Sequence, residues 1–188
     1  MIKVIENFLP KPIFNNILNI VESEQFDWKW HNETIPGDGN FMFNKVLYVY
    51  PFEGKGEIFD KELLPLFGIF KDFQDEHLPE KSKTLAKLKL NLYPNQGKQV
   101  KHGKHFDITT NRKVDPNIIT SVFNFHTCNG YTCIEKEDGS EEKVPSVANS
   151  IVIFDNALHY GVTQSDIPRR IVLNINVLKQ MWAGLILK

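Results

Sequence analysis

The sequence predicts an α+β domain, a β-sandwich or barrel with helices covering one sheet. Three observations carry this. Helix-period apolar patterns lie in the first half of the chain, while strand-period patterns fill the second half. In addition, two long alternating segments of the second half each carry one apolar and one polar face.

Residues 10–23 read as an amphipathic helix, because Ile13, Phe14, Ile17, Leu18 and Val21 recur at helical spacing and Pro12 suits a first turn. Residues 26–30 and 45–50 are rich in aromatic and β-branched side chains and predict strands. The Pro36-Gly-Asp-Gly-Asn40 stretch between them predicts a turn or loop. A second helix is expected over 61–77, with Leu63, Phe67, Phe70 and Phe73 as its stripe and Asp60 as its N-cap. From about residue 85 the period becomes two. Leu88, Leu90 and Leu92 alternate with Lys87, Lys89, Asn91 and Tyr93. Residues 119–125 predict another strand, Glu137-Asp-Gly139 a hairpin turn, and the apolar run 151–154 a strand buried on both faces. Ile171, Leu173, Ile175 and Val177 then alternate with Arg170, Val172, Asn174 and Asn176. Both long alternating strands place apolar residues outward under the helices and polar residues inward, towards a cavity.

The 188 residues make one domain, read as an N-terminal cover (1–84) and a strand-rich core (85–180). A composition 41% hydrophobic and 24% charged is that of a soluble globular protein. The net charge of -1 gives no whole-molecule field towards nucleic acid, so a nucleic-acid partner is not expected. Cys128 and Cys133 have neither disulfide-framework nor zinc-finger spacing and read as reduced thiols. No apolar run is long enough to span a bilayer, so no membrane partner is expected. The opening MIKVIENFLPKP lacks the long apolar stretch of a signal peptide, so a cytoplasmic location is expected.

The chemistry centres on His105-Phe106-Asp107. In extended chain, residues i and i+2 point the same way, so this triplet aims an imidazole and a carboxylate at one place. With one more histidine they make a 2-His-1-carboxylate triad, which leaves coordination positions open on a non-haem iron. His159, just beyond the buried run 151–154, is the candidate third ligand. The next strand opens with Arg169-Arg170, and a guanidinium is suited to hold a carboxylate bidentately. Adjacent strand residues face opposite ways. Arg170 shares phase with Asn174 and Asn176, and is the arginine expected in the cavity.

Taken in order, these pieces resemble the Fe(II)/2-oxoglutarate-dependent dioxygenases, and within them the prolyl 4-hydroxylase-like group of phages and bacteria. The resemblance rests on Val4-Ile-Glu-Asn-Phe-Leu-Pro10 followed by a helix, Asn91-Leu-Tyr93 ahead of H-x-D, and Asn129-Gly-Tyr-Thr132 with its hairpin. It continues through Ala148-Asn149-Ser-Ile-Val-Ile-Phe-Asp155 before the distal histidine and Arg170-Ile-Val172 after it. Valine stands at 172 where the group's R-x-S motif has a hydroxyl. The resemblance implies a double-stranded β-helix (jelly roll) and Fe(II) on His105, Asp107 and His159. It also implies O2 and the co-substrate 2-oxoglutarate on Arg170, Tyr93 and Asn91, with hydroxylation of a peptide or small molecule. Because Asp107 keeps the carboxylate position, hydroxylation rather than halogenation is expected.

Other readings stay open. The same ligand set suits a zinc hydrolase. An alkylated-base demethylase and a non-catalytic jelly-roll module are further alternatives. His102 reads as a solvated loop residue, His126 as a strand residue able to enter the cavity, His31 and His77 as surface, Asp155 as a cap of backbone amides and Asp138 as a turn residue. Substrate specificity is expected in the loops 31–44 and 108–117, the latter as a lid over substrate.

Overall fold

The two helices form because apolar stripes at helical spacing have a sheet to cover. A computed structural model describes residues 1–50, 57–78, 84–110 and 113–179. In chain order the elements are β1 (Ile2–Ile5), α1 (Lys11–Val21), β2 (Lys29–His31), β3 (Met42–Val49), β4 (Glu57–Ile58), α2 (Leu63–Asp75) and β5 (Thr84–Pro94). They continue with β6 (Thr109–Thr110), β7 (Lys113–Val114), β8 (Ile118–Asn124), β9 (Cys128–Glu135), β10 (Glu141–Ser146), β11 (Ser150–Asp155), β12 (His159–Val162) and β13 (Arg169–Leu178).

The major antiparallel sheet runs β1-β11-β8-β13-β5-β3-β2, with β4 paired to β3, and the minor sheet runs β10-β9-β12. Residues 101–105 extend the minor sheet, through bridges from Lys101 to Val162 and from His105 to His159. From β8 to β13 the chain crosses between the sheets four times, with the β9–β10 hairpin in the minor sheet, which is the double-stranded β-helix.

The outer face of the major sheet is the hydrophobic core. Ile171, Leu173, Ile175 and Val177 of β13, Leu88 and Leu90 of β5 and Phe123 of β8 pack with Ile17 and Val21 of α1 and Phe67 and Phe70 of α2. Phe70 meets Phe123 edge-on at 4.8 Å between ring centroids. Burying each such side chain contributes roughly 1.5–3 kcal/mol, so this face holds the helices down. The inner faces of the two sheets meet in a smaller cluster that includes Met42, Val122, Ile134, Val152 and Phe154. The rest of the inter-sheet space is the cavity.

Two segments differ from the sequence expectation. The strand expected over 26–30 is displaced to Lys29–His31. Phe26 and Trp28 pack instead on the helix core, their rings 4.8 Å apart, and core packing of this kind carries no pairing information. The second helix opens two residues later than expected, at Leu63, while Asp60 bonds the amides of its first turn as expected. The Asp60 carboxylate accepts the amides of Glu62 and Leu63 (3.2 and 2.9 Å). The hairpin turn at 137–139 forms, with Gly139 at φ 79 and the Lys136 amide on the Ser140 carbonyl (2.8 Å). Both cysteines are free thiols, and among the described residues no helix is long and apolar enough to cross a membrane.

Candidate metal centre

His105 and His159 are brought face to face by backbone pairing. The His105 amide donates to the His159 carbonyl (2.9 Å) and the His159 amide donates back (3.0 Å). Asp107, two residues on from His105, turns its carboxylate to the same place. One ligand atom from each residue lies within 4.8 Å of the other two. The His105 Nε2 is 3.7 Å and the His159 Nε2 3.9 Å from the Asp107 oxygens.

The fit to a metal goes beyond proximity. His105 Nδ1 donates to the Gly103 carbonyl (3.1 Å) and His159 Nδ1 to the Ala157 carbonyl (2.9 Å). A carbonyl only accepts, so each Nδ1 carries the proton and each Nε2 turns its lone pair to the centre. The Asp107 carboxylate is buried and takes the amide of Asn176 (3.0 Å), which also donates to Thr120 Oγ1 (3.0 Å). Burial would raise the Asp107 carboxyl, but the adjoining His105 ring and the charges of Lys87 and His159 hold it well below the usual range. Burial pushes His159 down, favouring the neutral ring a metal requires. For His105, burial acts the same way but Asp107 outweighs it, and its pKa is raised. Two imidazole nitrogens and one carboxylate, with fixed tautomers, suit a divalent transition-metal ion.

A cavity of about 220 Å³ adjoins this triad. Its floor is the inner face of β5 and β13, where Arg170 opposes Tyr93, Asn174 opposes Lys89 and Asn176 opposes Lys87. Arg170 is 1% exposed and has no carboxylate within 4.0 Å among the described residues. Its donors reach Ser146 Oγ, Asn124 Oδ1, Thr132 Oγ1 and the carbonyls of Tyr131 and Val162, all at 3.2–3.4 Å. Burial lowers its pKa, yet a guanidinium stays charged. Arg169 points outward to Glu22 (3.3 Å).

Tyr93 is buried with its ring 5.9 Å from the Arg170 guanidinium carbon, and burial raises its phenol pKa. Asn91 donates to Asn174 (3.4 Å), and its own Oδ1 has no partner among the described residues. Val172 lines the same cavity.

Two readings need correction, those of His102 and Asp155. His102 is buried, not solvated, at 2% exposure. Its ring contacts Thr34 Oγ1 through Nδ1 and stands edge-on to Tyr93 at 5.0 Å. Burial, only partly offset by Asp38, brings its pKa down to about 4. The loop 31–44 folds over it, a long-range event with no local signal. His126 does not enter the cavity. It accepts the Ile171 amide on Nδ1 (3.2 Å) and reaches Glu22 through Nε2 (3.0 Å). Asp155 pairs with Lys179 (2.9 Å) instead of capping amides.

Some functional positions are not singled out by the sequence. A Cβ on Gly130 would sit 3.0 Å from the Arg170 Cδ and from the Val162 carbonyl, so a larger residue there would press on Arg170 and on the β12 backbone. Thr132 faces the guanidinium from the same strand. At the other end, Asn156 donates to the carbonyls of Ile108 and Asp115 (2.8 and 3.3 Å) and pins both ends of the segment expected as a lid. Lys87 and Lys89 also line the cavity. Only the alternation of β5 hints at them.

No family model matches this sequence, and no curated protein matches it. Solved structures do match in fold. An oxidoreductase of the 2OG-Fe(II) oxygenase family from Burkholderia pseudomallei superposes with a TM-score of 0.73 at 8% identity, over 95% of this chain and 86% of that one. A prolyl-4-hydroxylase from Pseudomonas putida gives 0.61 at 15% identity, over 96% and 93%. The viral collagen prolyl hydroxylase of Paramecium Bursaria Chlorella virus-1 gives 0.57 at 13% identity, over 95% and 96%. These likenesses agree with the jelly-roll fold expected from the sequence.

Proposed function

We propose that this chain is an Fe(II)- and 2-oxoglutarate-dependent oxygenase that hydroxylates its substrate. The observation that carries the reading is the pairing, in one cavity, of a His-Asp-His centre with a buried arginine that has no carboxylate partner among the described residues. His105, Asp107 and His159 would hold the iron. With 2-oxoglutarate and O2, iron there supplies oxidation of a C–H bond to C–OH, with release of succinate and CO2.

The chain's own residues do the rest. Arg170 anchors the distal carboxylate of 2-oxoglutarate, with Thr132 and Gly130 fixing its path. Tyr93 and the unpartnered Asn91 Oδ1 flank the co-substrate. Val172 gives that end an apolar wall. Asn176 holds the Asp107 carboxylate in orientation, and the backbone carbonyls of Gly103 and Ala157 hold the imidazoles. Asp107 fills the position a halide would need, so the product carries a hydroxyl and no halogen.

The fold likeness to prolyl hydroxylases favours a peptide substrate, with a small molecule as the other class. The test is anaerobic binding of Fe(II) and 2-oxoglutarate, followed by succinate release when O2 is admitted. Saturable 2-oxoglutarate binding that needs the metal, followed by succinate, is expected. Metal binding without any 2-oxoglutarate binding would refute the reading.

A further inference from the structure

The cavity floor carries two cations that the proposed chemistry does not use. Lys87 and Lys89 sit at i and i+2 on β5, facing the inter-sheet space, and both line the cavity. Neither ammonium lies within 4.0 Å of a carboxylate of the described residues, and Lys87 Nζ makes only a long bond of 3.5 Å to the Asp107 backbone carbonyl among them. Burial, together with the charge of Lys87, brings Lys89 down to about 8. Burying an ammonium without a partner is costly, and strands offer many cheaper residues for an inner face. The neighbouring inner-face positions make the point, because Thr120, Val122, Val152 and Phe154 are all uncharged.

Position separates these lysines from Arg170. Arg170 opposes Tyr93, whereas Lys89 opposes Asn174 and Lys87 opposes Asn176. Four residues of strand put Lys89 roughly 13 Å from Tyr93 along β5. Asn176 and Lys87 are the residues that touch Asp107, so the lysines lie at the metal end. Asp107 is the sole carboxylate lining this cavity among the described residues. On the oxygenase reading the ion would take up Asp107, and the ion and Arg170 would take up the two carboxylates of 2-oxoglutarate. Both ammoniums are then left without a counter-charge beside the place where oxidation occurs.

We infer that Lys87 and Lys89 form a second anion site, and that the primary substrate presents a carboxylate or phosphate group to it. The assignment of this anion to the substrate rests on the oxygenase reading; the anion site itself does not. Lysine suits the task as a compact charge that either oxyanion can approach from several directions. An anion held there fixes the substrate's reach to the metal and selects acidic substrates over their neutral counterparts.

Inorganic sulfate is the probe, titrated calorimetrically into zinc-loaded protein with saturating 2-oxoglutarate. Saturable binding is expected in the wild type. Lys87→Met and Lys89→Met should each weaken it at least tenfold, and Arg170→Ala should not. Lys89→Met should also raise the melting temperature of the zinc-loaded protein, in which the ion takes up Asp107, because it removes a part-buried charge left without a counter-charge. A lowered or unchanged melting temperature would mark Lys89 as a structural residue and overturn the assignment. So would sulfate binding that is absent, or that follows Arg170. Loss of 2-oxoglutarate binding in the wild type, with sulfate still following the lysines, would remove the oxygenase reading and leave the anion site standing.

The second arm scores succinate release with matched pairs: an acidic amino acid against its side-chain amide, and a nucleoside against its monophosphate. Stimulation confined to the charged member of one pair is expected, and that pair identifies carboxylate or phosphate. Stimulation by the neutral members as well overturns the proposal.

Discussion

The two faces of the major sheet are buried alike and differ in how their groups are satisfied. On β13, Ile171, Leu173, Ile175 and Val177 are 0% exposed under the helices, while Arg170 and Asn176 are 1% and 0% exposed on the other side. The helix side is closed mainly by apolar contact, and the Gln74 amide and Ser121 hydroxyl there also have no partner among the described residues. The cavity side has long hydrogen bonds around Arg170, and the Oδ1 atoms of Asn91 and Asn176 have no partner among the described residues. What sets the cavity side apart is Arg170, a buried guanidinium with no carboxylate partner among the described residues; an uncompensated buried charge costs more than an unpaired neutral group, so this face is the one arranged for a ligand. One strand therefore serves the fold with its odd residues and the site with its even ones.

The sharpest way to break that division is to damage one face and measure the other. Phe123→Ala removes a ring that meets Phe70, Phe125 and Phe14 on the helix side. It should cost about 3–5 kcal/mol in urea unfolding. Zinc affinity of the folded fraction should stay within twofold of the wild type, a margin of about 0.4 kcal/mol. An equal loss of both would mean that the faces are not separable.

Next in size is the contrast between the adjacent arginines. Arg170→Ala leaves a bound carboxylate without its partner and should cost about 2–5 kcal/mol of binding, so the 2-oxoglutarate requirement rises at least tenfold. Arg169 makes an exposed pair with Glu22, and such pairs contribute about 0–1 kcal/mol. Arg169→Ala should change the requirement far less. The reverse order in a titration of the two variants would show that the cavity belongs to the other register.

This register was legible in the sequence because side-chain alternation on a strand has a strict period of two. Leu88 and Leu90 lie in the helix-side core, and Lys87, Lys89, Asn91 and Tyr93 line the cavity, as their alternation predicts. The H-x-D spacing also carries its own geometry, since i and i+2 share a direction. What could not be read is whatever depends on distant chain. His102 sits in a lysine-rich loop that reads as wet, yet Thr34 and Asp38 of the loop 31–44 close over it. His126 has the phase of a cavity residue, but the Ile171 amide and Glu22 claim its two nitrogens. Gly130 carries no local signal, and its role appears only where the Arg170 Cδ and the Val162 carbonyl lie 3.0 Å from the position its Cβ would take.

The smallest expected effect tests whether Asn176 belongs to the site or to the fold. Its amide nitrogen is shared between Asp107 Oδ2 and Thr120 Oγ1, and its Oδ1 has no partner among the described residues. A residue placed for stability would satisfy both ends, so the one-sided bonding points to orientation of the carboxylate. Outer partners of metal ligands typically contribute about 10–100-fold in affinity. Asn176→Ala should sit near the lower bound, because the His105 ring also lies beside the Asp107 carboxylate. Zinc affinity, read by competition with a chelator, should fall about tenfold. Unfolding stability should change little, since the variant removes one unpaired oxygen along with one made bond. Thr120→Val, which spares the bond to Asp107, should leave zinc affinity near the wild type. If Asn176→Ala instead lowers stability and leaves zinc affinity unchanged, the even-numbered residues of β13 serve the fold as well, and the division between the faces fails at this position.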